Sequence, residues 1–163
     1  FPQAAIRMIH NAKAGAGSAG GGDGGEGEER AVRFVGQHLA GVNGLAAAHA
    51  IHNGLTALEE THALLHGEKV AFGTIVQLVL ERRDAEELLT IIRFCRDCGL
   101  PTTLRELGLA HAGDERLMRA AAASCSQEDT MGNMPFPVAP EDVLSAMKRT
   151  DQIAQLAGLL KRG

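Results

Sequence analysis

The sequence is poor in aromatic residues, with no Trp, no Tyr and five Phe among its 163 residues, although 45% of the chain is hydrophobic. Its core must therefore be built from Ala, Leu, Val and Ile, which suits closely packed helices. It also lacks a basic excess, since the net charge is −4, and we expect no nucleic-acid partner. No apolar run reaches the roughly 20 residues of a membrane helix, so we expect no membrane partner.

Cysteine is scarce and odd in number, with three residues in the chain. This count fits a reducing compartment better than a disulfide framework and predicts a cytoplasmic protein. Cys95 and Cys98 form a single C-x-x-C, with neither a second pair nor a preceding strand. We interpret this pair as incidental rather than as a redox or zinc motif.

The first part of the chain has little that could order it. Residues 14–27 are dominated by glycine, and such a composition buries too little apolar surface to fold. Gly15 to Gly20 formally match G-x-G-x-x-G, but no strand precedes them, so we predict no phosphate site there. The sequence thus predicts a disordered or divergent segment over residues 1–40 and an all-helical metal-binding domain over residues 41–163.

The rest of the chain has helical periodicity and no strand signal. We predict a first helix over Leu45 to Leu58 and a buried second helix over Glu68 to Arg82. The third begins after Asp84 as its cap and ends at Gly99 and Pro101. The remaining predictions are a short helix over Thr103 to Leu107, a helix over Glu115 to Cys125 capped by Asp114, and a last helix from Pro140 to Leu160. The predicted fold is an all-α helical bundle.

The histidines of the first two predicted helices form a pattern that could bind a metal ion. His49 and His52 lie three positions apart and share a helix face, and His66 opens the next apolar run. If the helix ends face each other, His49 and His66 meet and offer two nitrogen ligands to a metal. A catalytic zinc has three protein ligands, so this pair alone is incomplete. The alternative is that these histidines only form hydrogen bonds.

Longer motifs add a resemblance to this pattern. The run GLAAAHAIHNGLTALEETHALLHGEKVAFGTIVQLVLE (residues 44–81) resembles glycerol dehydrogenases of the iron-containing alcohol dehydrogenase family, as do CGLPTTLRELGL and NMPFPVAPEDVLSAMKRTDQ further on. The resemblance implies the C-terminal helical domain of the dehydroquinate synthase-like fold, with a nucleotide-binding half ahead of it that this chain lacks. It implies His49 and His66 as metal ligands together with an upstream aspartate. Asp23 is the only upstream aspartate here and a poor candidate, because it lies in a glycine run.

The same resemblance implies the cofactors and the reaction. Zinc is the expected metal, with iron possible, and NAD would be held mainly by the nucleotide-binding half. The implied reaction is the oxidation of glycerol or a similar small polyol to dihydroxyacetone by a homo-oligomer, with His52 and Asn53 near the substrate or beside the metal ligands. We expect this chain to be a fragment that does not turn over alone. The competing hypothesis is a non-catalytic helical scaffold that retains only metal binding or self-association.

Overall fold

The computed structural model describes residues 46–126 and 130–160. The predicted segment 1–40 and the predicted boundary at residue 41 lie outside the described residues. No strand occurs in the described ranges, which confirms the all-α prediction for them. The described helices are α1 (Ala46–Leu55), α2 (His66–Leu80), α3 (Ala85–Asp97), α4 (Asp114–Ser124) and α5 (Pro140–Leu160), with short 3₁₀ turns at Glu59–Thr61 and Thr130–Asn133. None of these helices is long and apolar enough to cross a membrane.

The second helix is the centre of the bundle, as its nearly continuous apolar sequence predicted. Phe72 and Val76 of α2 join a core with α1, α4 and α5. Other residues of the same helix, including Ile75 and Leu78, join a second core with α3 and α5. Because α2 contributes to both cores, packing on both of its sides holds this helix in place. The residues at its N-terminus are held in place with it.

Several predicted helix ends are confirmed. The Asp84 carboxylate accepts hydrogen bonds from the amides of Glu86 and Glu87 (2.9 and 3.1 Å) and so caps α3. Gly99 follows the end of α3 with φ of +75°, a backbone conformation that glycine adopts without strain. The last helix runs from Pro140 to Leu160 as predicted.

Two helix boundaries differ from the predictions on the site side of the bundle. The first helix ends at Leu55 instead of Leu58, since the hydroxyl of Thr61 donates to the Leu55 carbonyl (2.7 Å) and turns the chain. The second helix begins at His66 instead of Glu68. The Glu68 carboxylate folds back and accepts a hydrogen bond from the Leu65 amide (2.7 Å), so the helix begins two residues earlier than predicted.

Two further predictions were wrong, at the start of α4 and at residues 103–107. Asp114 is the first residue of α4 and not its cap, because its carboxylate pairs with Lys148 (2.9 Å) and Gly113 occupies the cap position. Residues 103–107 form turns and no helix. The predicted capping contacts are present there, with the Glu106 carboxylate accepting from the Thr103 amide (3.0 Å), but Gly108 at φ of +79° ends the segment at once.

Candidate metal centre

The crossing of α1 and α2 sets the geometry of the histidines. Gly73 of α2 lies directly against Ala48 of α1, and a Cβ at Gly73 would stand 2.6 Å from the Ala48 carbonyl oxygen. The buried side chain of Gln77 completes the contact, because its Oε1 accepts a hydrogen bond from the Ala48 amide (3.0 Å). The residue after Ala48 is His49, so the crossing positions its ring.

Three imidazoles meet at this crossing, at the N-terminus of α2. The ring centroids of His49 and His66 are 6.1 Å apart, with the ring planes inclined by 33°. His52 is closer to His66, at 4.2 Å between centroids, and meets it edge to face at 61°. His49 and His52 are half-buried, whereas His66 is exposed. We call these three residues the histidine cluster.

The separation of the His49 and His66 rings is wider than that of two ligands on one tetrahedral zinc ion. A zinc–nitrogen distance of about 2.0–2.1 Å separates two ring centroids by about 5 Å at a tetrahedral angle and by about 6.4 Å when the two nitrogens are on opposite sides of the ion. The observed 6.1 Å is about 1 Å above the tetrahedral value, so the two rings would have to approach each other to hold one ion. The His52–His66 separation of 4.2 Å is shorter than either value and is a direct ring contact.

Asn53 holds His52 in one tautomer. Nδ1 of His52 donates a hydrogen bond to Oδ1 of Asn53 (2.9 Å), which leaves Nε2 with its lone pair. Burial lowers the pKa of His52 from 6.5, and the positive charges of His66, Lys69 and His49 act in the same direction, while the bond to Asn53 opposes them. Burial and the neighbouring charges therefore disfavour the protonated form of His52.

The described part of the chain supplies only part of a metal site. No group of three or more His, Cys, Asp or Glu side chains that could hold a metal ion occurs within residues 46–126 and 130–160. Asp23 lies outside these residues. The described ranges thus bring two imidazoles together, and a catalytic zinc site of three protein ligands would need a further ligand.

The other candidates from the sequence lie away from this centre. Cys95 is buried, and burial together with the neighbouring Cys98 raises the pKa of its thiol to about 12. A thiol that stays protonated is a poor nucleophile and a poor ligand, in agreement with an incidental C-x-x-C. His62 donates from Nε2 to the Thr56 carbonyl (2.8 Å) and is an exposed turn residue, and His111 is exposed.

Sequence reasoning missed Lys69, which lies one turn after His66 on α2. Its side chain is only 6% exposed, and its charge reaches His52. The available signal was a lone lysine at the start of an apolar stretch that continues to Leu80. It also missed Gly73 and Gln77, whose importance depends on which helix packs against them.

Comparison with known proteins shows what this chain is similar to. No family model matches the chain. The glycerol dehydrogenase of Citrobacter freundii is 49% identical over 122 residues, which are 72% of this chain and 33% of that protein. The glycerol dehydrogenase of Thermotoga maritima is 48% identical over 113 residues, 69% of this chain and 31% of the relative. The matched region of this chain thus spans about a third of the length of these relatives.

A solved structure gives the same result for the fold. The crystal structure of glycerol dehydrogenase from Schizosaccharomyces pombe matches with a TM-score of 0.71 and 41% identity, over 72% of this chain and 30% of that one. The aligned part is therefore similar in sequence and in the arrangement of its helices. Over these residues the chain is a homologue of the glycerol dehydrogenases.

Proposed function

We propose that this chain supplies the metal-binding part of an NAD-dependent and zinc-dependent dehydrogenase. Its substrate would be glycerol or a similar small polyol, and the product dihydroxyacetone or the corresponding hydroxyketone. The observation that carries the proposal is the facing of His49 and His66 across the α1–α2 crossing, 6.1 Å apart. The names of the relatives support the substrate class, and the facing pair of imidazoles supports the metal.

Each residue of the centre has a defined part in this proposal. His49 and His66 would hold zinc, or iron, since imidazole binds both ions. A metal held by these rings would supply Lewis-acid chemistry, which would favour loss of the proton from the substrate hydroxyl and transfer of the carbon-bound hydride to NAD. The Gly73–Ala48 contact and the Gln77–Ala48 hydrogen bond keep the two ligands on rigid, packed helices.

His52 and Asn53 complete the substrate side of the proposal. The Asn53 hydrogen bond fixes the neutral His52 tautomer with a free lone pair on Nε2. That nitrogen is able to accept a hydrogen bond from a hydroxyl of the polyol and so to orient it. A neutral ring also avoids adding a charge beside a cation.

Two other features of the chain support the proposed cellular location and the proposed oligomeric state. Cys95, Cys98 and Cys125 form no disulfide bond among the described residues, which supports a reducing, cytoplasmic location. Leu156, Leu159 and Leu160 project from the end of α5 with 61–69% of their surface exposed. This apolar face favours self-association and is consistent with a homo-oligomer. It is also the observation that favours the alternative, a helical protein that associates and performs no chemistry.

A zinc titration of the metal-free 163-residue chain tests the metal centre. We expect one zinc per chain in the wild-type protein and binding weakened by at least about tenfold in His49→Ala and in His66→Ala. His111→Ala is the matched control, because His111 is exposed and distant in sequence from the cluster. Absence of binding in the wild-type chain, or equal binding by all variants, would contradict the proposal.

A further inference from the structure

A cleft at the C-terminal end of α2 collects three arginines. Its volume is about 860 Å³, and it lies between the end of α2, residues 136–138 and α5. Arg82 and Arg83 line it just after α2, and Arg149 lines it from α5. Because α2 has 15 residues with a rise of about 1.5 Å each, this cleft is about 20 Å along the helix from the histidine cluster. It is therefore separate from the candidate metal centre.

Arg82 has a backbone conformation that arginine rarely adopts. Its φ is +55°, and no other residue except glycine has a positive φ in the described part of the chain. This conformation closes α2, because the Arg82 amide donates to the Val79 carbonyl and the Arg83 amide to the Leu78 carbonyl (both 3.1 Å). Glycine is the usual residue at such a helix end, since a side chain adds strain there. Closing the helix needs no side chain at this position, which indicates another role for the guanidinium group.

Both carboxylates that line the cleft are already engaged. Glu81 accepts a hydrogen bond from Gln77 (2.9 Å), and its Oε2 lies 3.4 Å from Nε of Arg83. Asp142 accepts a hydrogen bond from the Ala139 amide (2.9 Å) at the start of α5. These carboxylates therefore do not pair with the other two arginines of the cleft.

Arg82 and Arg149 are the cations that remain for a ligand. Both are exposed, and no ion pair or hydrogen bond joins either side chain to another described residue. A cation at a helix C-terminus complements the helix dipole, which would account for Arg82 alone. Arg149 lies midway along α5 and gains no such stabilisation. The feature that the two residues share is the cleft.

The floor of the cleft is apolar. Leu80, Leu88, Phe136 and Val138 line it beside the arginines. A volume within about 300–1,000 Å³, mostly apolar walls and a few charged groups are typical of sites for small organic ligands. An inorganic ion alone would leave this apolar surface uncovered, so the cleft suits a ligand with an organic part.

We propose that this cleft binds a small phosphate monoester with an apolar or aromatic body. Guanidinium groups bind phosphate oxygens through paired N–H donors, and Arg82 and Arg149 do so from the α2 and α5 sides of the cleft. The double negative charge of a phosphate monoester matches two guanidinium groups that have no carboxylate partner. Leu80 and Phe136 contact the organic part of the ligand. This site is independent of the proposed dehydrogenase function, because it shares no residue with the histidine cluster.

The test uses phenyl phosphate as the probe and the 163-residue chain as the protein. The ¹H–¹⁵N signals of the backbone amides and the arginine Nε groups are followed at about pH 7, where the phosphate is mostly doubly charged. Inorganic phosphate and phenol are titrated in parallel. We expect phenyl phosphate to shift the signals of residues 80–83 and of Arg149 to saturation. Inorganic phosphate should bind at least about fivefold more weakly, and phenol should cause no saturable shift.

Three variants separate ligand binding from folding. Arg82→Gly removes a guanidinium group where glycine fits the backbone, so the chain should fold normally and bind phenyl phosphate at least about tenfold more weakly. Arg149→Gln should weaken binding to a similar extent, and it decides the question by itself if Arg82→Gly does not fold. Arg119→Gln is the control, because Arg119 is exposed, its charge acts on Glu60 and it does not line the cleft. The midpoint of urea unfolding shows that each variant is folded.

Four results would overturn the inference. A phenyl phosphate titration without saturable shifts at residues 80–83 would show that the cleft is not a ligand site. Equal affinity in the wild-type chain and in the folded Arg82→Gly or Arg149→Gln variant would assign the binding to other groups. An equal loss in Arg119→Gln would show that only the overall charge of the chain matters. Inorganic phosphate or phenol binding as tightly as phenyl phosphate would exclude a site for a phosphate monoester.

Discussion

Replacing Gly73 with alanine tests whether the α1–α2 contact holds the centre together. The new Cβ would stand 2.6 Å from the Ala48 carbonyl oxygen, and ordinary contact begins at 3.4 Å, so the helices must separate by about 0.8 Å. Overpacking of this kind costs about 1–3 kcal/mol. Alanine recovers about 0.5–1 kcal/mol through its higher helix propensity. The difference between these two effects is a net loss of up to about 2.5 kcal/mol in the free energy of unfolding, with a central value of about 1 kcal/mol.

Urea unfolding followed by circular dichroism measures this loss. Gly132→Ala is the matched control, because nothing lies within 4 Å of a Cβ at that position and its φ is not positive. The control should change the free energy of unfolding by less than about 0.5 kcal/mol. A Gly73→Ala variant as stable as the wild-type chain would refute the argument that backbone contact, and not chain flexibility, accounts for this glycine.

The same substitution has a second readout at the histidines. Separation of α1 from α2 carries His49 away from His66, so zinc affinity should fall together with stability. Gly54→Ala distinguishes this effect from general destabilisation. A Cβ at Gly54 would overlap Ser124 Oγ and the Ala120 carbonyl oxygen, which lie on α4 and not on α2. We expect Gly54→Ala to destabilise the fold and to leave the zinc affinity of the folded protein largely intact.

Two further predictions concern the third helix. Since burial raises the pKa of the Cys95 thiol from 9.0 to about 12, this thiol should react with a thiol reagent only after unfolding. Above about pH 9 the folded state keeps the thiol proton that the unfolded state releases, so the free energy of unfolding should fall as the pH rises. Cys95→Ala should reduce this fall. Rapid labelling of Cys95 in the native chain would contradict both statements. Asp84→Ala removes the acceptor of the Glu86 and Glu87 amides and should cost about 1 kcal/mol in urea unfolding. An unchanged unfolding midpoint would show that α3 does not need this cap.

Local signals in the sequence were sufficient for most of the fold. Asp84, Gly99 and Pro140 determine helix ends through their own side chains or backbone preferences, and these ends were predicted correctly. The errors arose where a tertiary contact took over a local role. Asp114 has the chemistry of a cap but pairs with Lys148 from another helix, and Gly113 takes its place. Periodicity carries no information about such a partner.

The candidate site was predictable only in part for the same reason. Spacing and resemblance indicated His49 and His66, but the contact between His52 and His66 depends on how far α1 slides along α2. That position is determined by a glycine and a glutamine on the second helix, neither of which belongs to a chemical motif. The burial of Lys69 likewise follows from packing around α2 and not from its neighbours in sequence. Long-range packing therefore decides the details that matter most for a ligand.

Gln77 provides the sharpest test of this argument, because its side chain on α2 accepts a hydrogen bond from the backbone of α1. Gln77→Leu removes the acceptor of the buried Ala48 amide together with the bond from Gln77 Nε2 to Glu81 (2.9 Å), which should cost about 1–3 kcal/mol. The loss should be local, so the Ala48 amide should exchange with solvent faster than the amides of α4, and zinc affinity should fall with it. Gln155→Leu is the matched control, since Gln155 is exposed and bonds only to Asp151 of its own helix (2.7 Å). Unchanged exchange at Ala48 in Gln77→Leu would mean that another group holds the start of α1, and that the ligands are positioned by apolar packing alone.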